Sequence, residues 1–491
     1  MAHADELERL VNGVLWPGFL GGDVPGWLAE ALGDGLAGVV YFAQNLDGDT
    51  AALSADIHRI APHALIGIDE EGGSVTRLET RTGSTVPGAA ELGMLDDTDA
   101  TRATGREIGR RVDAIGADVV IAPVADVNTD PRNPVIGVRA FGSTTELVSR
   151  HVAAAVDGIQ STGLAACAKH YPGHGDTHTD SHHDLPRIAL DQGEIERVHL
   201  PPFDAAVRAG VRAIMTAHIC ASHWGDVPAT LNPLVLGGLR ERGFEGVIVT
   251  DALDMAAIRE TIGIGGGAVR ALAAGADLFC IGNPTNPGAA MLPDQDERDY
   301  RSARDAVVAA IRAGELPRSR VEEAARRVAA MAEAVRGRAP IADVIGTPFD
   351  GDAISDRALR IDGEIAPLAD IPTTVIDLRR SSSLAVDSAA SHVALAIAAG
   401  GAFVRLEPET ATDARIDAAA AGADQAVVLV DRLDADAAQR AALDRIRAVR
   451  PDIPAVNVGL PVAGAGGVIT ASAASLVAAR AARRALLGPA R

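Results

Sequence analysis

The chain has 491 residues, 47% of them hydrophobic but only 3% aromatic, and a net charge of −21. That acidity excludes a nucleic-acid or anionic-membrane surface as partner, because both need clustered cations. The length predicts two or three domains.

No apolar run is long enough to span a bilayer. The opening Met1-Ala2-His3-Ala4-Asp5-Glu6-Leu7-Glu8 is acidic where a signal peptide is basic and then apolar, which predicts a cytoplasmic protein. Cys167, Cys220 and Cys280 each lie in or beside an apolar run, as buried free thiols of a reducing compartment would.

In chain order, short apolar runs predict strands at 38–42, 64–68, 118–122, 164–168, 213–217, 246–250 and 276–280, with a weaker eighth at 11–20. Their apolar character is continuous rather than alternating, which marks strands buried on both faces. Helical patterns separate them. Seven or eight such units in about 340 residues predict a (β/α)8 TIM-like barrel. Asp69-Glu70, Asp126, Lys169-His170, His218 and Asp251 each follow a predicted strand. In a barrel the carboxyl ends of the strands form the active face.

A helix with paired arginines over 318–338 ends this part. The stretch from 339 to 372 is rich in Pro, Gly and Asp. Strands at 374–378, 403–406, 426–430 and 455–459, with a helix at 435–450, predict a smaller open α/β domain. The expected organisation is a barrel at 1–340, a linker at 341–371 and a small domain at 372–491. Gly464-Ala465-Gly466-Gly467 lacks the spacing of a phosphate-binding fingerprint.

Lys169 is the only lysine, against 44 arginines, and it opens a run through Asp184 that holds five of the thirteen histidines. A compact ammonium and a planar guanidinium are not interchangeable at a tight site. Pro172, Gly173 and Gly175 break any helix there, so the run reads as a loop in which Asp180 and His182 can pair as a dyad. A metal held by these histidines and aspartates is the competing reading. Asp251 is placed either as a nucleophile or as the cap of a helix opening at Leu253. The acids of Asp69-Glu70-Glu71, with Arg77 beyond them, and Arg139 on a second loop suit a polyhydroxylated ligand.

These four segments, in this order, resemble glycoside hydrolase family 3, and within it the NagZ-type β-N-acetylglucosaminidase branch. There the loop reads Lys-His-Phe/Tyr-Pro-Gly-His-Gly and then Asp-Ser-His; here it is Lys169 to Gly175 and Asp180-Ser181-His182. The resemblance covers about residues 10–340. Ser74, Thr76, Val138 and Ala252 depart from the family pattern without removing a residue of assigned role.

The resemblance implies a retaining exo-β-N-acetylglucosaminidase. Asp251 matches the nucleophile that forms a covalent glycosyl-enzyme, and His182, oriented by Asp180, matches the general acid/base. Asp69, Arg77, Arg139, Lys169 and His170 match the residues that grip the terminal N-acetylglucosamine. It implies neither metal nor organic cofactor, a carbohydrate partner such as a cell-wall fragment in peptidoglycan recycling, and a monomer or homodimer. A phosphorylase using the same residues is one alternative, because a neutral acid/base does not repel phosphate. A metal-dependent barrel hydrolase and an inactive sugar-binding protein are the others.

Overall fold

A computed structural model describes residues 5–177, 186–188, 190–286, 292–338, 348–380 and 390–488. The chain divides into two compact units. The first comprises residues 1–70, 101–127 and 144–346, the second 71–100, 128–143 and 347–491. The second unit therefore takes two segments from within the range expected to form the barrel alone.

The first unit is built on strands β1 (Leu15–Pro17), β2 (Gly38–Tyr41), β3 (Leu65–Ile68), β4 (Val119–Val120), β5 (Ala165–Tyr171), β6 (Arg187–Ile188), β7 (Ala213–Thr216), β8 (Cys220–Ala221), β9 (Val247–Val249) and β10 (Phe279–Gly282). A curled, all-parallel sheet of α/β type runs β2-β3-β4-β5-β7-β9. A parallel bridge from Val249 to Leu278 carries it towards β10, which pairs in parallel with β1. The short β6 and β8 form a separate parallel pair.

The runs predicted as strands fall on these elements, with edges moved. The run at 276–280 becomes a continuous strand only at Phe279, after the single bridge at Leu278, and the one at 118–122 shortens to Val119–Val120 before Pro123. The run at 164–168 continues instead to Tyr171, so Lys169 and His170 belong to a strand rather than to the loop after it.

One face of the curled sheet encloses a core of Trp16, Val40, Leu65, Val119, Cys167, Met215, Val249 and Leu278. Val328, Met331, Ala332 and Val335 of the helix Arg318–Arg336 pack into the same cluster. Trp16 is admitted because position 67 is glycine: a Cβ there would lie 2.1 Å from the indole ring. Its Nε1–H donates to Leu65 O at 2.8 Å, so the ring is buried without an unmet donor.

Arginines serve the amino ends of the strands. Asp277, just before β10, is fully buried and paired with Arg240 and Arg320, and Asp118, just before β4, with Arg336 and Arg338. Cys167, Cys220 and Cys280 are buried free thiols.

The second unit carries a sheet ordered β11-β16-β15-β14-β12-β13. Its strands are β11 (Arg360–Asp362), β12 (Thr374–Asp377), β13 (Phe403–Arg405), β14 (Ala426–Val430), β15 (Ala455–Asn457) and β16 (Val468–Thr470). All pairings are parallel except β11 with β16. Helices cover both faces, giving two apolar clusters on either side of the sheet. The Pro- and Gly-rich stretch holds the helix Gly351–Ala358 and β11, so much of the expected linker is ordered structure. Among the described residues no helix is long and apolar enough to cross a membrane.

Candidate active site

The carboxyl ends of the first unit's strands gather the polar residues predicted there. Lys169, in β5, donates from Nζ to Asp69 Oδ1 at 2.5 Å across from the end of β3. The lysine side chain is 3% exposed and the aspartate 24%, so the ammonium is buried while its partner still meets solvent. A buried charge persists only when paired. Asp69 supplies that partner.

Next to it, Asp126 organises two histidines. Its Oδ2 meets His170 Nδ1 at 2.8 Å, and its Oδ1 accepts the backbone N–H of His174 at 2.7 Å. Burial alone would raise the Asp126 carboxyl, but the His170 imidazole and the His174 amide hold it below the usual carboxylate range. His174 moves the other way: burial, with His170 adding to it, pushes its pKa down to about 4. It is therefore neutral at pH 7. Thr177 Oγ1 donates to His174 O, so it accepts from Nδ1–H at 2.9 Å, which fixes the tautomer and makes Nε2 the acceptor nitrogen.

Asp251 follows β9. Its backbone N–H donates to Thr216 Oγ1 at 3.3 Å, and its own Oδ1 accepts Ala252 N–H at 2.8 Å. Thr216 in turn hydrogen-bonds Thr230, whose hydroxyl donates to Ala217 O. This relay anchors the Asp251 backbone against β7, and the Ala252 amide orients its carboxylate. The helix expected from Leu253 begins only at Ala256. Asp251 accordingly caps no helix, and Asp254 sits in the intervening turn, where Asn286 donates to its Oδ2 at 2.8 Å.

Two thiols lie under these groups. Burial pushes Cys167 up to about 12, and burial followed by Asp254, Asp251 and Asp69 pushes Cys280 well above its ordinary value. Neither is a thiolate at neutral pH, so neither is a nucleophile. Asp69 and Asp251 directly follow or lie just beyond β3 and β9 of the parallel sheet, so both stand at its carboxyl edge.

Arg77 and Arg139 belong to the second unit. Arg139 makes a bidentate pair with Glu71, at 3.0 and 2.8 Å, and donates from Nη1 to Val135 O at 3.0 Å. Both side chains of the pair are 7% exposed. Glu71 was visible in the sequence only as one of three consecutive acids; its partner lies 68 positions away. Arg77 is half-buried in the turn beyond the Gly72–Val75 bridge. Asp180 and His182 lie outside the described residues. Asp126, which links His170 to His174, carried no sequence signal beyond its place after a strand. Among the described residues no three His, Cys, Asp or Glu side chains converge as a metal site would require.

A parallel α/β sheet with carboxylates, a buried lysine and histidines at its strand ends defines a class: a model described as the glycosyl hydrolase family 3 N-terminal domain matches residues 31–331, and the chain belongs to that family. It is a glycoside hydrolase. Among curated relatives, beta-hexosaminidase A of Pseudoalteromonas piscicida is 33% identical over 270 residues, which are 50% of this chain and 45% of that protein. This chain thus spans under half the length of that relative. The beta-hexosaminidase of Chromobacterium violaceum is 34% identical over 340 residues, 65% of this chain and 92% of that one. A solved family 3 beta-N-acetylglucosaminidase from a Paenibacillus species superposes with a TM-score of 0.84 at 30% identity, covering 99% of this chain and 97% of that one.

Proposed function

We propose that the protein is a retaining exo-β-N-acetylglucosaminidase, with eight of the first unit's ten strands (β1 to β5, β7, β9 and β10) forming a (β/α)8-type barrel around the site. The observation that carries the reading is Asp251. It is a carboxylate at a strand end whose backbone N–H is anchored on Thr216 Oγ1 and whose Oδ1 accepts the Ala252 amide, at the same carboxyl edge of the sheet as the buried Lys169–Asp69 pair.

In the first step Asp251 attacks the anomeric carbon. The bond to the leaving oxygen breaks, and His182 gives that oxygen a proton. In the second step His182 takes a proton from water, which attacks the glycosyl-Asp251 ester and restores the original configuration. Asp180 orients His182. Asp69, Lys169 and His170 hold the terminal sugar hydroxyls by charge-assisted hydrogen bonds. The residues named need no cofactor. Cell-wall fragments bearing β-linked N-acetylglucosamine, met in the cytoplasm, are the substrate that fits this reading.

A 2-fluoro N-acetylglucosaminide analogue with an activated leaving group tests it. The label should appear on Asp251, and Asp251→Ala should remove both labelling and turnover without changing the unfolding temperature. Label on Asp254 would refute the assignment. Release of sugar 1-phosphate in phosphate buffer, in place of free sugar, would convert the reading to a phosphorylase.

A further inference from the structure

The second unit's strand order reverses between β12 and β14. The chain leaves β12 for β13 on one side, then crosses to β14 on the other and continues outward through β15 and β16. In open parallel α/β sheets ligands bind outside the strand carboxyl ends at such a reversal. A cavity of about 220 Å³ lies there, bounded by Arg380 after β12, Asp431 and Arg432 after β14, Gly459 after β15, and the loop 133–138.

One group in it is built for a ligand. Asp431 is 9% exposed, and both of its protein hydrogen bonds, from Gln439 Nε2 at 2.8 Å and Arg380 N–H at 3.4 Å, land on Oδ1. Among the described residues nothing donates to Oδ2, which keeps access to the cavity the residue lines. With the rest of the residue nearly buried, that oxygen offers an acceptor to a donor entering the crevice.

The chemistry of that donor follows from the surroundings. A dinucleotide would need a glycine turn directly after the first strand. Here Arg379 fills that place, fully buried and bidentate on Asp377 at 2.9 Å for both contacts. Arg380 is already held by Asp436, and by Glu409 at 2.7 Å. Arg380 and Arg432 are balanced by Asp431 and Asp434 around the cavity, so neither a phosphate nor a cation is favoured. The volume falls below the roughly 300–1,000 Å³ of drug-sized sites, which suits a single small ring.

We propose that this crevice is a second saccharide site, separate from bond cleavage, that binds one neutral hydroxyl-bearing sugar ring with Asp431 Oδ2 as acceptor. The choice of a sugar rests on the glycosidase reading; the geometry of the crevice does not.

Equilibrium dialysis of glucose, N-acetylglucosamine and inorganic phosphate against the full-length chain tests this, using wild type, Ala435→Trp and Asp431→Asn. Tryptophan at 435 fills the crevice from its rim, so that variant should bind one fewer equivalent of neutral sugar per chain than wild type. Asp431→Asn should weaken that equivalent by about tenfold or more, as loss of a hydrogen bond to a charged group does. Thermal unfolding shows whether each variant is folded, and either folded variant suffices. Identical sugar binding in wild type and variants, or retention of phosphate in place of sugar, overturns the proposal. Failure of the glycosidase reading shows separately, as wild type that does not hydrolyse an aryl N-acetylglucosaminide, and leaves the dialysis difference readable.

Discussion

Replacing Lys169 with arginine keeps the charge and should still disable the enzyme. The ammonium is 3% exposed and makes one short bond to Asp69 from within β5, over the buried thiols Cys167 and Cys280. A planar guanidinium fork is wider than an ammonium and does not fit a buried slot shaped for one. Lys169→Met sets the scale. Removing one member of a buried charged pair costs about 2–5 kcal/mol, mostly through the partner left behind. Asp69 is 24% exposed and partly solvated, so the low end applies. About 2–3 kcal/mol corresponds to a loss of roughly 30- to 150-fold in kcat/KM. The assay is hydrolysis of 4-nitrophenyl N-acetyl-β-glucosaminide, with unfolding temperature as the control for folding. The loss should fall mainly on KM, and the arginine variant should track the methionine one. Wild-type kinetics in Lys169→Arg would refute the tight-slot reasoning.

Asp126→Asn should be nearly as damaging although it touches no proposed leaving group. An amide cannot accept at both oxygens from His170 and His174, so both histidines lose their placement; unchanged kcat/KM would show that Asp126 is dispensable. His182→Ala should spare aryl glycosides far more than natural disaccharides, by on the order of 10²–10⁴-fold, and azide should rescue it as a β-glycosyl azide. Equal losses on both substrates would move the acid/base role elsewhere. Glu91 in the second unit accepts from Gly88 N–H and Ser355 Oγ, and burial pushes its pKa up to about 7. A carboxyl raised in the folded state favours folding below its ordinary value of 4.5, loses that advantage as pH rises to about 7, and stays without it above. Glu91→Gln should therefore stabilise the protein, relative to wild type, by up to about 3 kcal/mol more above pH ~7.5 than below pH ~4.5. Urea unfolding at both extremes checks this, and equal differences would mean that Glu91 titrates normally.

The apolar runs made the strands of both units readable, because parallel strands buried on two faces leave little else in sequence. Their ends were harder. Lys169 and His170 resemble the start of a loop, yet they continue β5 because Asp69 and Asp126 satisfy their side chains, and those partners are 100 and 44 positions away. The strand Val468–Thr470 was hidden for the opposite reason. Only three residues long, it follows a glycine-rich turn whose amides are taken by Asp362 and whose carbonyls are taken by Arg447. Segment 71–100 reads as an ordinary connection after β3. What assigns it to the second unit is the buried bond of Glu91 to Ser355 and that of Ser74 to the Ala474 amide, pairings that one chain's spacing cannot announce. Candidate chemistry was legible where residue types were unusual, as at the solitary lysine. It was not where an ordinary aspartate such as Asp126 does the holding.

The interleaving of the second unit has a consequence for birth of the chain at the ribosome. Segments 71–100 and 128–143 emerge early, but the sheet they join begins only after residue 347. At about 5–20 residues per second, the roughly 200 residues between them take some 10–40 s to make. Throughout that wait the helix Ala89–Leu95 has no Ser355 for Glu91, and Ser74 has no Ala474 amide to accept. The nascent chain thus carries exposed surface that belongs to a structure not yet translated. A gene cut at residue 340 would leave it in that state permanently, so the shortened product should depend on chaperones and aggregate without them.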